Sequence, residues 1–294
     1  MNVPVLIEPV ALQELRETHP VVIIDTRDAS AYADEHIPGA VNLRDIFTFL
    51  IDDSRPETLR RMQTTFADAL GRAGLSGREV AVVYEDALDS GYGQSCRGYF
   101  LLRYLGYPQV AILHGGYRAW KEAGLPVTDE MPRPTPRVFP VDVRERVFVA
   151  KQEMLGAVDD PRIIKLDVRD RDEWQGTSSS PYGVDFCPRK GRIPGAVWLE
   201  WYRVLDRSGD APRFRSRDQL LATCREVGIR PDDTIYVYCF KGSRAALVMV
   251  ALTLAGFREV RNYFASWNEW SRDLALPIET GAPRAPTGFT ALGA

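Results

Sequence analysis

"VVIIDTRDASAYADEHIPGAVNL", residues Val21 to Leu43, is written again further along the chain. It returns as "RIIKLDVRDRDEW" (Arg162 to Trp174) and then "GRIPGAVWL" (Gly191 to Leu199). Asp25 recurs as Asp167, 142 positions on, and Pro38 as Pro194, 156 positions on, so the second copy holds an insertion of 14 residues. Two further stretches repeat in the same order. "EVAVVYED" (Glu79 to Asp86) matches "TIYVYCF" (Thr234 to Phe240), and "LLRYLGYPQVAILHGGYRAW" (Leu101 to Trp120) matches "ALTLAGFREVRNYFASWNEW" (Ala251 to Trp270). Chance supplies one such match but not four in order, so the chain is an internal repeat. Between the copies, "EMPRPTPRVFPVDV" holds Pro132, Pro134, Pro136 and Pro140, a density that favours an extended connector over a helix or central strand. This divides the chain into a first domain, 1–130, a Pro-rich linker, 131–147, and a second domain, 148–294.

Within each copy, short β-branched runs alternate with longer amphipathic segments. "VVIID", "VAVVY" and "VAIL" in the first answer to "RIIKLD", "TIYVY" and "EVRNY" in the second. "PETLRRMQTTFADALGRAGL" and "SRDQLLATCREVGI" carry apolar residues at three- and four-residue spacing and end near a glycine, as helices do. Continuous apolar strands alternating with helices predict an α/β fold, a parallel sheet covered by helices on both faces. In such sheets, function gathers at the carboxyl ends of the strands.

Composition narrows the chemistry. Hydrophobic residues are 45% and charged residues 26% of the 294, enough to build two ordinary globular cores. A net charge of -3 gives no global case for nucleic acid or an anionic membrane, so any anion chemistry needs a local cluster of Lys and Arg. No apolar run approaches the roughly 18 residues that span a bilayer, and the first residues lack the pattern of a signal peptide. The four cysteines, Cys96, Cys187, Cys224 and Cys239, form no C-x-x-C pair. That argues against a disulfide framework or a zinc cage, and for a reducing cytoplasm. No metal and no cofactor are expected.

One cysteine stands apart. In "TIYVYCFKGSRAALVMVALTLAGF" (Thr234 to Phe257) an apolar strand stops at Cys239, a short loop follows, and a helix begins near Ser243 or Arg244. Gly242 permits backbone angles that other residues resist. A tight loop of this kind turns N–H groups inward as an anion nest, and the following helix adds the positive end of its dipole. Lys241 and Arg244 lie beside it, and all these terms favour a thiolate. The three histidines, His19, His36 and His114, all lie in the first copy, so the second copy has no histidine of its own to act as a base. Two of the other cysteines read as packing residues: Cys224 sits in the helical "LLATCREV" and Cys96 in "SCRGYFLL". Asp25 with Arg27, and Asp167 with Arg169, recur in both copies and read as structural ion pairs. Trp267 and Trp270 read as core.

The tandem "D-[TV]-R … IPGA" blocks, the "YCFKGSRA" loop and the closing "SWNEW … LP" resemble the two-domain rhodanese-type sulfurtransferases, over about residues 8–280. The resemblance implies that only the second domain is catalytic. Its loop cysteine, here Cys239, takes a sulfane sulfur from a small anionic donor, holds it as a persulfide and passes it to a thiophilic acceptor: cyanide, a thiol or a protein. The first domain has Glu85 where the second has Cys239, and a carboxylate cannot carry sulfur. Phosphatases on this fold use C-x5-R, whereas Cys239 to Arg244 is C-x4-R, the size the family uses for a single sulfur atom. The loop residues Phe240, Lys241, Gly242, Ser243 and Arg244 are then expected to bind substrate, with Lys241 and Arg244 as a cationic rim.

Animal members of the family carry an anion-binding Arg six residues after the Asp of D-x-R. Here that position is Glu173. The insertion in the catalytic copy, "GTSSSPYGVDFCPRKGRIPGA", offers Arg189, Lys190 and Arg192 to supply the missing charge. Thiosulfate, a small dianion, is the expected donor. The alternatives are 3-mercaptopyruvate, whose users tend to a "CGSG" loop, and a non-catalytic sulfur-carrier or redox-sensing module using Cys187 near Cys239.

Overall fold

The computed structural model describes residues 3–281. The first half contains strands β1 (Leu6–Ile7), β2 (Val21–Asp25), β3 (Val41–Asn42), β4 (Val80–Tyr84) and β5 (Val110–Leu113). Its helices are α1 (Pro9–Thr18), α2 (Ala29–Asp34), α3 (Asp45–Thr48), α4 (Pro56–Arg72), α5 (Gln94–Tyr104) and α6 (Gly116–Glu122). The second half adds strands β6 (Ile163–Asp167), β7 (Val197–Trp198), β8 (Leu205–Asp206), β9 (Arg213–Phe214), β10 (Thr234–Tyr238) and β11 (Glu259–Asn262). Its helices are α7 (Lys151–Gly156), α8 (Arg171–Gln175), α9 (Arg217–Glu226), α10 (Ser243–Ala255) and α11 (Ser266–Trp270).

The sequence repeat is a repeat of topology. The first sheet runs β1-β5-β4-β2-β3 and the second β11-β10-β6-β7, with every pairing parallel. The first sheet adds the edge strand β1, and the second half adds the antiparallel hairpin β8–β9. Along β4, successive side chains enter different cores. Val80, Val82 and Tyr84 meet Leu12 of α1 and Trp120 of α6, while Ala81 and Val83 meet Phe66 of α4 and Phe100 of α5. A strand buried on both faces must be apolar throughout, which is why "VAVVY" shows no alternation.

The core on the α4–α5 side does not stop at the domain boundary; it continues into the second half. Phe100 of α5 stacks on Phe264 with ring centres 5.4 Å apart. Gly93, just ahead of α5, has no room for a side chain, because a Cβ there would lie 2.8 Å from the Leu247 Cβ of α10. The linker is extended, as its prolines dictate, but it is not a free spacer. Residues 129–144 contain no helix or strand and lie strapped to the first domain. Arg137 N–H donates to the Gly71 carbonyl at 2.8 Å, and Asp142 N–H to the Leu105 carbonyl at 2.9 Å. Phe139 stacks on Tyr107 at 5.2 Å.

Candidate active site

The strand that leads into Cys239 is anchored from below. Arg169 grips Asp167 with Nε at 2.9 and 3.1 Å and Nη2 at 2.6 Å. The hydroxyl of Tyr238, the residue before Cys239, donates to the same carboxylate at 2.7 Å. All of these groups are buried. The first copy repeats the arrangement with Arg27, Asp25 and Tyr84. A device present in both copies belongs to the framework. Its carboxylate is satisfied by a guanidinium and a hydroxyl, the condition under which a buried ion pair is tolerated.

Cys239 follows β10 directly and is 1% exposed. Its N–H donates to Ser266 Oγ at 3.1 Å. Its carbonyl accepts Trp267 N–H, and the Phe240 carbonyl accepts Asn268 N–H, both at 3.0 Å. Gly242 has φ +81°, and a Cβ there would lie 2.8 Å from the Phe264 carbonyl oxygen, so the turn requires glycine. Ser266 sits opposite Gly116 of the first copy, and both have positive φ (+57° and +66°). A side chain in that region costs on the order of 1–2 kcal/mol. The serine is held there by donating its hydroxyl to the Tyr263 carbonyl at 2.6 Å while accepting from Cys239.

The two loops differ in what faces the helix that follows. In the first copy the carboxylate of Glu85 accepts Gln94 N–H and Ser95 N–H at 3.1 Å and Ser95 Oγ at 2.6 Å. Burial pushes this carboxyl up to about 8 against those donors. In the second copy no acceptor among the described residues takes the N–H groups of Phe240, Lys241, Gly242, Ser243 or Arg244. The Ser243 hydroxyl is buried and equally without a partner. Where the first domain fills its donors with its own carboxyl oxygens, the second presents a cysteine beside a ring of open donors. Such a ring can hold a sulfur anion.

The charges around the loop depart from the sequence expectation. Arg244 is buried, and its Nη1 and Nη2 donate to the Glu173 carboxylate at 2.6 and 3.0 Å, with Asp170 at 3.1 Å from Nη1. With two carboxylates against it, Arg244 pins the end of the loop and is not part of a free cationic rim. Glu173 is therefore the partner of Arg244, not a lost anion site. The insertion cations do not supply the charge either. Arg189 donates to the carbonyls of Trp270, Ser271, Asp273 and Leu276, closing the end of α11. Arg192 is buried over the Trp174 ring and bound to Glu279 at 2.7 Å, and Lys190 donates to the Thr177 carbonyl. The insertion reaches the loop instead through Tyr182, whose ring centre lies 5.0 Å from that of Phe240.

Lys241 is the loop cation with no carboxylate against it among the described residues. Its Nζ donates to the Phe47 carbonyl of the first domain at 2.8 Å and lies 3.7 Å from the centre of the Phe47 ring. Burial, and then the charge of Arg97, push it down to about 7. Arg97, on α5, is fully buried and donates to the Phe47 and Phe49 carbonyls at 2.7 and 2.8 Å. Arg97, Phe47, Tyr182 and Ser266 also gather around the loop, and sequence reasoning missed them. Only Ser266 had a signal, its position opposite Gly116 in the repeat. The remaining cysteines are buried, and burial pushes Cys187 and Cys224 up to about 11 and Cys96 upward. The histidines are engaged elsewhere, His36 with main-chain carbonyls and His114 with Glu8 and Phe214 N–H. Among the described residues no three His, Cys, Asp or Glu side chains converge as metal ligands, and no helix is long and apolar enough to cross a membrane.

Residues 8–123 and 150–273 each match the family described as the rhodanese-like domain. The chain is 28% identical to the thiosulfate sulfurtransferase of Azotobacter vinelandii, over 95% of this chain and 98% of that protein. It is 30% identical to the thiosulfate sulfurtransferase of Mus musculus, over 90% of this chain and 86% of that protein. It is 29% identical to the sulfur carrier protein TtuD of Thermus thermophilus, over 94% and 97% of the two. Among solved structures, wild-type EanB superposes with a TM-score of 0.81 at 24% identity, covering 95% of this chain and 70% of that one.

Proposed function

The chain belongs to the rhodanese-like domain family in both of its halves, and from that premise we propose a sulfurtransferase that moves a sulfane sulfur from thiosulfate to a thiophilic acceptor through a Cys239 persulfide. The Cys239 thiolate attacks the outer sulfur of thiosulfate. A sulfur–sulfur bond forms at Cys239 as the one in thiosulfate breaks, and sulfite leaves with the bonding pair. The persulfide then lies among the open N–H groups of Phe240 to Arg244, with the Ser243 hydroxyl beside them. An acceptor nucleophile, cyanide or a thiol, attacks the outer sulfur and returns Cys239 as thiolate. Lys241, the loop cation with no carboxylate against it among the described residues, is the donor-binding charge in this reading.

The observation that carries the proposal is the contrast between the two loops. The same turn holds Glu85 with its donors filled in one copy and Cys239 with its donors open in the other. The names of the relatives support sulfur transfer. Four unpaired cysteines agree with a reducing cytoplasm. A carrier role, which the name of the Thermus relative favours, shares the first half-reaction and differs in the acceptor, a protein thiol.

Mixing the purified protein with thiosulfate tests the reading. One equivalent of sulfite and a mass gain of one sulfur atom on the Cys239 peptide are expected. Parallel steady-state kinetics with 3-mercaptopyruvate decide the donor, and a large preference for mercaptopyruvate overturns the choice of thiosulfate while leaving the persulfide in place.

A further inference from the structure

Two cations from different domains share one acceptor beside the Cys239 loop. Phe47, in the first domain, offers a single carbonyl to Lys241 Nζ at 2.8 Å and to Arg97 Nη1 at 2.7 Å. The second arm of Arg97 reaches the Phe49 carbonyl at 2.8 Å, and its guanidinium lies 4.6 Å from the centre of the Phe264 ring. Phe264 is the residue whose backbone crowds Gly242, so Arg97 stands directly behind the loop. It is 0% exposed, its Nε has no partner, and no carboxylate faces it among the described residues. A buried guanidinium without a counter-ion is costly and is retained only where something else requires it.

Resting on the sulfur-transfer reading above, we propose that Arg97 of the non-catalytic domain is a positioning residue for the anionic donor. By gripping the Phe47 and Phe49 carbonyls it fixes the anchor that aims Lys241 at the loop, and it places a second positive charge behind the same site. The first domain is then a working part of the active site.

The electrostatics agree with this placement. The groups that face Lys241 are Arg97 on α5, Arg44 ahead of α3, Cys239 in its own loop and Tyr182 of the insertion. Arg44 is paired with Asp28 at 2.9 Å and bound to Gln94, so its charge is partly answered, whereas that of Arg97 is not. Burial, then Arg97, lower Lys241, while Cys239 opposes them. Burial likewise lowers Arg97 to about 10, against the pull of Cys239 and Tyr182. Two cations on one carbonyl repel each other until an anion arrives between them and the sulfur. The site is therefore set for a small dianion, and binding it should draw a proton onto Lys241.

The test is the pH dependence of the thiosulfate KM in wild type, Arg97→Met, Arg97→Lys and Lys241→Met, with Tm recorded for each. In wild type, KM should rise as pH passes through about 7 and Lys241 loses its proton. Lys241→Met should show a high KM that no longer depends on pH in that range. Arg97→Met should move the rise to higher pH, because the repelling charge is gone, and should raise KM severalfold on the acid side, because the anchor is loosened. Arg97→Lys keeps a charge but cannot span two carbonyls, so it should raise KM with the midpoint near that of wild type. If Arg97→Met does not fold, Arg97→Lys decides, and a wild-type KM in that variant overturns the proposal. A folded Arg97→Met with both KM and midpoint unchanged also overturns it, even if Tm falls, since Arg97 would then serve only the fold. If Lys241→Met itself leaves the thiosulfate KM untouched, the donor-binding reading of Lys241 is what has failed.

Discussion

In the proposed reaction Cys239 and Lys241 divide the chemistry between them, and each makes a separate demand. Replacing Cys239 with Ser should abolish sulfite release from every donor with Tm near that of wild type, whereas Cys96→Ser and Cys224→Ser should keep most activity. Transfer surviving in Cys239→Ser would remove the persulfide from the mechanism. Lys241 should set affinity. Losing one charge-assisted contact to the donor is worth on the order of 1.5–3 kcal/mol, or roughly ten- to a hundredfold in kcat/KM, so Lys241→Ala should raise the thiosulfate KM by that order. Its lowered folded value also gives stability a definite slope. Between about 7 and the ordinary 10.5, the unfolded chain holds a proton that the folded chain has lost. The cost of burying the charge is therefore fully present below about 7 and is relieved as pH rises toward 10.5. Urea midpoints followed from neutral to alkaline pH should rise more in wild type than in Lys241→Met. At this scale the sequence was most legible where residues act on near neighbours: the strand end before Cys239, the glycine turn and the two Asp–Arg pairs. Arg244 was misjudged because its partner Glu173 lies 71 positions away, and Arg97 and Phe47 were missed because they reach the loop from another domain.

The elements that carry these residues are held in place by backbone contacts between the loop and the turn that opens α11. The chain from Phe264 to Asn268 touches the loop at Cys239, Phe240 and Gly242. Gly242→Ala meets two obstacles: a positive φ, costing roughly 1–2 kcal/mol, and a Cβ 2.7–2.8 Å from Phe264 atoms. Backbone cannot yield as a flexible side chain can, so the loop must shift. The variant should lose both Tm and kcat, in a thermal melt and a sulfite assay run on the same sample. Wild-type turnover in Gly242→Ala would mean that the turn does not set the donor ring. Periodicity made the long elements readable, because α4 and β10 are long enough to display a period. The two-residue strands β1, β3, β7, β8 and β9 have no period to display and exist through pairing, so periodicity could not reveal them.

Over the whole molecule, a chain written twice still has a shared core. The cluster holding Phe66, Phe100 and Met62 also holds Phe148, Phe264 and Trp267 of the second half. Polar ties bind the same seam: Ser54 donates its N–H and hydroxyl to Glu269 at 2.6 and 3.0 Å, and Tyr263 donates to the same carboxylate at 2.8 Å. Asn268 donates to the Ile51 carbonyl at 2.9 Å. Domains joined by a free linker melt separately, but here the linker is strapped down and the apolar interface is continuous, so neither half can lose its partner and keep its own core dry. Wild type should therefore unfold in one calorimetric transition. Glu269→Ala leaves the Ser54 N–H and the Tyr263 hydroxyl buried without their acceptor, at a cost of about 1–3 kcal/mol for each group so stranded. It should lower that single transition by several degrees and raise the thiosulfate KM as well, because Phe47 and Lys241 meet across the same seam. Two resolved transitions in wild type, or a shift in Glu269→Ala confined to one of them, would show that the repeats fold independently. In that case the first domain could not be the fixed wall that Lys241 requires.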